Sequence, residues 1–414
     1  MRHVIVGNGP AGLTAAETLR SLSAGDDIVL LGDEPEPPYS RMAIPYLLAH
    51  EIDETGTYLR READHFSRLG IGLCNAAAQR IDTQLHTVAL SDGSSVNYDR
   101  LLLATGSVPS DPAIPGIDLP GVMRCWTLAN AREIMATVRP GMRVLQLGAG
   151  FIGAIIMKSI AARGASLTVV EMGDRVVPRM MPSGAAGLIK RWCENNGVRV
   201  LTGTKAMQIE RDTSGLHVQL DGGETLVVDC VIASTGVRPK IDFLAGSGVA
   251  TERGILVDDH LQTSAPDVYA AGDCAEAKQF GTDTRLVNAV QPNAVDQARN
   301  AALNMAGHPT RSPGALPMNV LDTFGLISAS FGQWGGVAGG EHVELTNADA
   351  FRYLRLEFHE DILIGATCLG LTEHVGVLRG LIQSGVRLGP WKGHLMRDPT
   401  QLMAAYLARA QAAA

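Results

Sequence analysis

The stretch His3-Val-Ile-Val-Gly7-Asn-Gly9-Pro10-Ala11-Gly12-Leu-Thr14 decides how the rest of the chain is read. Its apolar run Val4 to Val6 predicts a strand, and Leu13, Ala16, Leu19 and Leu22 recur at helical spacing. The glycines therefore lie in a strand-to-helix turn. In such a turn Gly7 makes the tight bend, Gly9 lets the backbone approach a diphosphate, and Gly12 lets the helix pack on the strand with its N-terminus aimed at the anion. A second strand, Asp27 to Leu31, runs into Gly32-Asp33-Glu34. Asp33 stands 21 residues beyond Gly12, where a carboxylate accepts from ribose hydroxyls.

The motif has a twin, Arg143-Val-Leu-Gln-Leu-Gly148-Ala-Gly150-Phe-Ile152-Gly153, again after an apolar strand and opening a helix. Its following strand, Leu167 to Val170, ends in Glu171, 18 residues past Gly153. A carboxylate there accepts from ribose hydroxyls and repels a 2′-phosphate, so NADH is expected over NADPH, a preference that nearby Arg175 and Arg179 weaken. Each glycine turn is followed by an apolar strand ending in Thr-Gly: Leu101 to Leu103 runs into Ala104-Thr105-Gly106, and Val231 to Ala233 runs into Ser234-Thr235-Gly236. This is an internal duplication. A third strand, Val268-Tyr-Ala-Ala, ends in Gly272-Asp273. Asp273 reads either as a helix cap or as a partner for a sugar-alcohol hydroxyl. Arg41, at the end of the proline-rich loop from Glu34, reads as a counter-ion for a diphosphate or as a solvated loop residue.

At 414 residues the chain is expected to form two or three domains, and 46% hydrophobic residues suit a globular α/β protein. A net charge of −8 without long basic runs argues against nucleic acid as a partner. The chain enters a strand within three residues of Met1, and the apolar stretch Gly148 to Val170 is broken by Lys158 and Arg163. The expectation is a cytoplasmic protein with no membrane association. Six widely spaced cysteines include no CxxC, so the sequence offers no local redox disulfide, zinc knuckle or iron–sulfur motif and no metal ligand is assigned, while cysteines far apart in sequence can still meet in the fold. Alternation over residues 71 to 98 predicts a small β-meander, and further short strands are expected over 198 to 232. A short helix is expected over Ile44 to His50 and a longer one over Asn288 to Met305. Beyond residue 316 the pattern turns to antiparallel strands, Phe351 to Phe358 and Ile362 to Leu369, then a helix from Val375 and a terminal helix over Gln401 to Ala414.

Together these motifs resemble the FAD-dependent pyridine nucleotide reductases, flavoproteins with two dinucleotide-binding domains. Gly7 to Gly12 is similar to their FAD motif, Gly148 to Gly153 to their NAD motif, Ala104 to Gly106 and Ser234 to Gly236 to their two ATG-type turns, and Ala271 to Cys274 to the segment whose aspartate holds the flavin ribityl chain. The resemblance implies an α/β fold: two Rossmann-like domains, for FAD and NAD, plus a C-terminal α+β interface domain. The implied order is an FAD domain over 1–110 and 237–315, an NAD domain over 111–236 and the third domain over 316–414. Pro38-Tyr-Ser-Arg41 resembles the ferredoxin, rubredoxin and nitrite reductase branch, which lacks redox-active cysteines. Where ferredoxin reductases carry a lysine and a glutamate near the flavin, this chain has Tyr46 and Ile155. Their aromatic Phe-Trp-Ser-Asp segment is replaced by Met318 to Leu326.

The resemblance implies an electron-transfer reductase that accepts hydride from NADH at flavin N5 and passes electrons to a small redox protein or partner subunit. No side chain is expected to act as acid or base. Two alternatives share the same binding residues: an NADH oxidase that reduces oxygen or a small quinone, and an NADH-responsive flavoprotein acting through association. The family contains both monomers and homodimers, so either is expected.

Overall fold

Val4 to Val6 form the middle of a sheet, as an uninterrupted apolar strand buried on both faces does. A computed structural model describes residues 1–413, with side chains through residue 409. The chain divides into two compact units. One comprises Met1–Ala43, Ile52–Val108 and Val237–Leu316; the other comprises Ile44–Glu51, Pro109–Gly236 and the residues from Pro317 onward.

In the first unit, strands Val268–Ala270, Arg100–Leu103, Arg2–Val6, Asp27–Gly32 and Ile71–Asn75 lie side by side in that order, all parallel. Val4 pairs with Val29 on one side and Leu101 on the other. Helix Pro10–Leu22 packs against helix Gln291–Met305 through small residues: Ala15, Ala16, Ala298, Ala301 and Ala302 are buried in one core. The second helix starts at Gln291 rather than Asn288, because Val290 is extended and Pro292 occupies the first turn, where a missing N–H costs nothing. The expected meander over 71 to 98 is shorter than its alternation suggested. Ile71–Asn75 is the edge of the parallel sheet, and only Ala78–Asp82, Thr87–Leu90 and Ser95–Asn97 pair antiparallel. In sequence Ile71-Gly72-Leu73 alternates as a hairpin strand does, although only Ile71 is buried, so period alone does not separate the two.

The second unit repeats the plan. Strands Arg199–Thr202, Ser166–Glu171, Arg143–Leu147, Cys230–Ala233 and Val122–Arg124 form a parallel sheet in that order. Here the strand beside the Thr-Gly strand comes from before the glycine turn, whereas in the first unit it comes from after. A meander of Ala206–Asp212, Gly215–Leu220 and Thr225–Val228 follows. Residues from Met318 add a five-stranded antiparallel sheet that includes Arg352–His359 and Ile362–Leu369. Helix Val375–Ser384 buries Leu378, Leu381 and Ile382. The helix expected over Gln401 to Ala414 runs from Leu402 to Ala413, and residue 414 lies outside the described residues. Among the described residues no helix is long and apolar enough to cross a membrane.

The first strand also carries a buried titratable group. His3 is fully buried with Nε2 3.0 Å from Asp26 Oδ2, and burial lowers the imidazole below its ordinary 6.5. The unfolded chain therefore takes up this proton first as pH falls. Stability from the neutral ring is present above pH 6.5 and is lost as pH drops below it. In urea denaturation, His3→Gln is expected to flatten the fall of unfolding free energy just below pH 6.5; an unchanged slope would remove His3 as its source.

Candidate functional site

Both glycine turns are built by backbone lying on backbone. Gly7 has φ +113, and its N–H donates to Leu31 O at 2.9 Å; a Cβ there would overlap the Ala104 carbonyl. A Cβ on Gly12 would overlap the Gly7 carbonyl. In the twin, Gly148 has φ +98 and lies against the Ser234 carbonyl, and Gly153 lies against the Gly148 carbonyl. Gln146 fixes that second contact, its Nε2 donating to Gly148 O at 2.8 Å and Gly153 O at 3.1 Å.

The middle glycines are different. Gly9 and Gly150 have ordinary φ of −73° and −72°, and a Cβ on either would meet nothing within 4 Å. Each is the N-cap of its helix, with no side-chain cap and no acidic residue in the first turn. Pro10 and Ala11 open one helix, and Ile152 lies in the first turn of the other. The protein's own packing accounts for the outer glycines, while the middle ones guard open space beside uncapped N–H groups. That is the shape and polarity a diphosphate requires.

Around the first turn, three chain segments meet at the carboxyl ends of parallel strands, where ligands of such sheets bind. Ala104 N–H donates to Val6 O at 2.8 Å, and Gly106 has φ +68. Gly272, at φ +82, donates its N–H to Gln297 Oε1 at 2.8 Å. Beside it, Asp273 accepts from Ser107 Oγ at 3.1 Å, and burial raises its carboxyl above the ordinary carboxylate range. Asp33 ends its strand as expected, but its Oδ2 is ion-paired with Lys240. The Arg41 guanidinium is held by Glu34 Oε1 at 2.5 Å and donates to Tyr39 OH at 2.7 Å, while Tyr39 OH donates to Glu34 Oε2 at 2.6 Å. Glu34, Tyr39, Ser107 and Lys240 were not singled out from the sequence. Only Glu34, adjoining Asp33, and Tyr39, in the Pro-Tyr-x-Arg segment, carried any local signal.

In the second unit, Glu171 accepts from Ala149 N–H through Oε2 and from Gly173 N–H through Oε1, both at 2.7 Å. The carboxylate thus staples the glycine turn to the strand end. Arg175 turns back into its own loop, paired with Asp174 at 2.8 Å and donating to Met181 O and Pro178 O; Arg179 is exposed. Thr235 Oγ1 donates to Ser110 O at 2.7 Å, and Gly236, at φ +102, accepts from Ser110 N–H at 2.9 Å. Tyr46 is 50% exposed on helix Ile44–Leu48, next to Pro45, whose carbonyl accepts from Ser159 Oγ at 2.8 Å. Ile155 lies one turn before Ser159 on the same helix.

All six cysteines are unpaired, and burial pushes Cys125, Cys193 and Cys368 up to about 12 and Cys230 to about 11, with Cys74 and Cys274 also raised. Among the described residues no cluster of His, Cys, Asp and Glu can hold a metal.

The glycine geometry makes a prediction. Gly9→Ala is expected to cost no more than about 1 kcal/mol of stability yet to abolish retention of a dinucleotide at the first turn. Gly7→Ala is expected to fail at folding. Thermal denaturation together with the absorbance of any co-purifying ligand checks both, and loss of fold in the first variant would contradict the assignment.

The family model for pyridine nucleotide-disulphide oxidoreductases matches residues 1–302. Over 403 residues the chain is 33% identical to the NADH-dependent phenylglyoxylate dehydrogenase subunit epsilon of Aromatoleum evansii, which spans 96% of this chain and 95% of that protein. It is also 33% identical over 313 residues to rhodocoxin reductase of Rhodococcus erythropolis, covering 75% and 73% of the two chains. The solved putidaredoxin reductase, in covalent complex with putidaredoxin, has the same fold, with a TM-score of 0.90, 24% identity and 99% of each chain covered. With both of its glycine turns inside the matched stretch, this chain belongs to the pyridine nucleotide-disulphide oxidoreductase family.

Proposed function

We propose that the chain is an FAD enzyme that oxidises NADH and hands electrons to a small redox protein or a partner subunit. The observation that carries this reading is the pair of uncapped helix N-termini facing open space at Gly9 and Gly150. When bound, FAD supplies the redox chemistry, taking hydride from NADH and releasing electrons singly.

The protein's residues bind and orient. Gly7, Gly9 and Gly12, with the first turn of helix Pro10–Leu22, hold the FAD diphosphate, and Asp273 accepts from the ribityl chain while Ser107 fixes its carboxylate. Gly148, Gly150 and Gly153 hold the NADH diphosphate. Glu171, already anchored by two backbone N–H groups, accepts from the ribose hydroxyls and opposes a 2′-phosphate, and Arg175 is committed to its own loop. This favours NADH over NADPH. No side chain is assigned as acid or base. The FAD domain is proposed to comprise 1–110 and 237–315, the NADH domain 111–236 and a third domain 316–414, in a cytoplasmic monomer or homodimer that binds neither nucleic acid nor membranes.

Asp273→Ala is expected to purify colourless. Glu171→Ala is expected to raise KM for NADH about tenfold or more, the worth of a charge-assisted hydrogen bond, and to narrow the preference over NADPH. Steady-state kinetics with both nucleotides measure this; a fully flavinated and kinetically unchanged pair would sink the site. For the acceptor, the protein is reduced anaerobically with one equivalent of NADH and mixed with air-saturated buffer. Reoxidation over minutes is expected for a reductase that needs a protein partner, whereas reoxidation within about a second would favour the oxidase reading.

A further inference from the structure

A shallow, open cleft lies where Gly7, Asp33, Ala77, Thr105, Lys240 and Phe243 come together in the first unit. It adjoins the first glycine turn on the side of Asp33, so on the FAD reading above, on which this inference rests, it receives the adenosine end of the dinucleotide. Two side chains 207 residues apart meet across it, the Lys240 ammonium and the Asp33 carboxylate.

The main chain of Lys240 is fixed from both directions. Its N–H donates to Gly106 O at 3.0 Å, and its carbonyl accepts from Thr105 Oγ1 at 2.7 Å. The Thr-Gly turn that borders the cleft thus carries Lys240 with it, and only the side chain is free to adjust. Both side chains of the ion pair are 38% exposed. A pair that exposed adds little to the stability of the fold, since screening and side-chain entropy offset most of its Coulomb energy. Its position therefore has consequences mainly for what enters the cleft.

A lone carboxylate at the ribose position also faces the diphosphate of the same ligand and repels it. The Lys240 ammonium neutralises Asp33 and holds the carboxylate by Oδ2, and Lys240 itself lines the cleft. We propose that Lys240 is a specificity-determining residue that clasps the adenosine half of FAD through Asp33, so that it strengthens the binding of FAD and contributes nothing to the binding of FMN, which lacks that half.

The test is a flavin titration of the 414-residue chain after flavin removal, followed by fluorescence, for wild type, Lys240→Met and Lys240→Arg, each with FAD and with FMN at low and high salt. Lys240→Met is expected to raise Kd for FAD about tenfold, the size of one charge-assisted hydrogen bond, to leave Kd for FMN unchanged, and to lose part of the salt dependence. Lys240→Arg, which keeps the charge, is expected to stay near wild type. An unchanged FAD affinity in Lys240→Met, or an equal loss for FAD and FMN, overturns the clasp while the FAD reading stands. A wild-type chain that binds neither flavin overturns that reading itself and the clasp with it.

Discussion

Carbonyl oxygens occupy the places where four glycine side chains would be. Gly7 lies on Ala104 O and Gly12 on Gly7 O; Gly148 lies on Ser234 O and Gly153 on Gly148 O. These approaches bring each helix down onto its sheet until its first-turn N–H groups sit at the carboxyl ends of the central strands. Any Cβ would hold the helix away and spoil both the packing and the aim of those N–H groups. Fold and binding site therefore rest on one constraint, and neither can be changed at these positions without the other.

Because the main chain shapes the cradles, few side chains are left with a chemical task. Asp273, Ser107, Asp33 and Lys240 surround the first turn; Glu171 braces the second. Burial raises the thiols of Cys125, Cys193, Cys230, Cys274 and Cys368 and so disfavours their thiolates. A protein arranged in this way contributes orientation and electrostatics, and the reactive centre has to come from the ligand.

The central strands and both glycine turns were legible in the sequence because each rests on local patterns: an apolar run, three glycines at fixed spacing, a helical repeat; the short strand Val122–Arg124 carried no such pattern. The strand ending at Glu171 was legible for the same reason. Ile71–Asn75 was not, since an edge strand of a parallel sheet and a hairpin strand share one alternation. The partners of the acids were hidden too. Arg41 is seven residues from Glu34 and reaches it only because the intervening loop doubles back. Lys240 finds Asp33 only through the fold, when a strand far along the chain is tied to the first Thr-Gly turn by Thr105 and Gly106. Long-range pairing of exposed charges leaves no periodic trace.

The two halves of the duplication then differ where spacing alone would make them equal. Each has an acid at the end of the strand that follows its glycine-turn helix. Glu171 is one residue deeper into its strand end and bonds main-chain N–H groups of Ala149 and Gly173, which are fixed dipoles that carry no net charge and cannot swing away. Asp33 bonds a mobile ammonium on a flexible stem. The carboxylate of the second unit is held through both oxygens by main-chain donors and has no cation paired with it among the described residues. The first is neutralised by an exposed partner whose hold screening weakens. Backbone geometry makes the two sites alike; the partner each acid finds makes them suit different ligands.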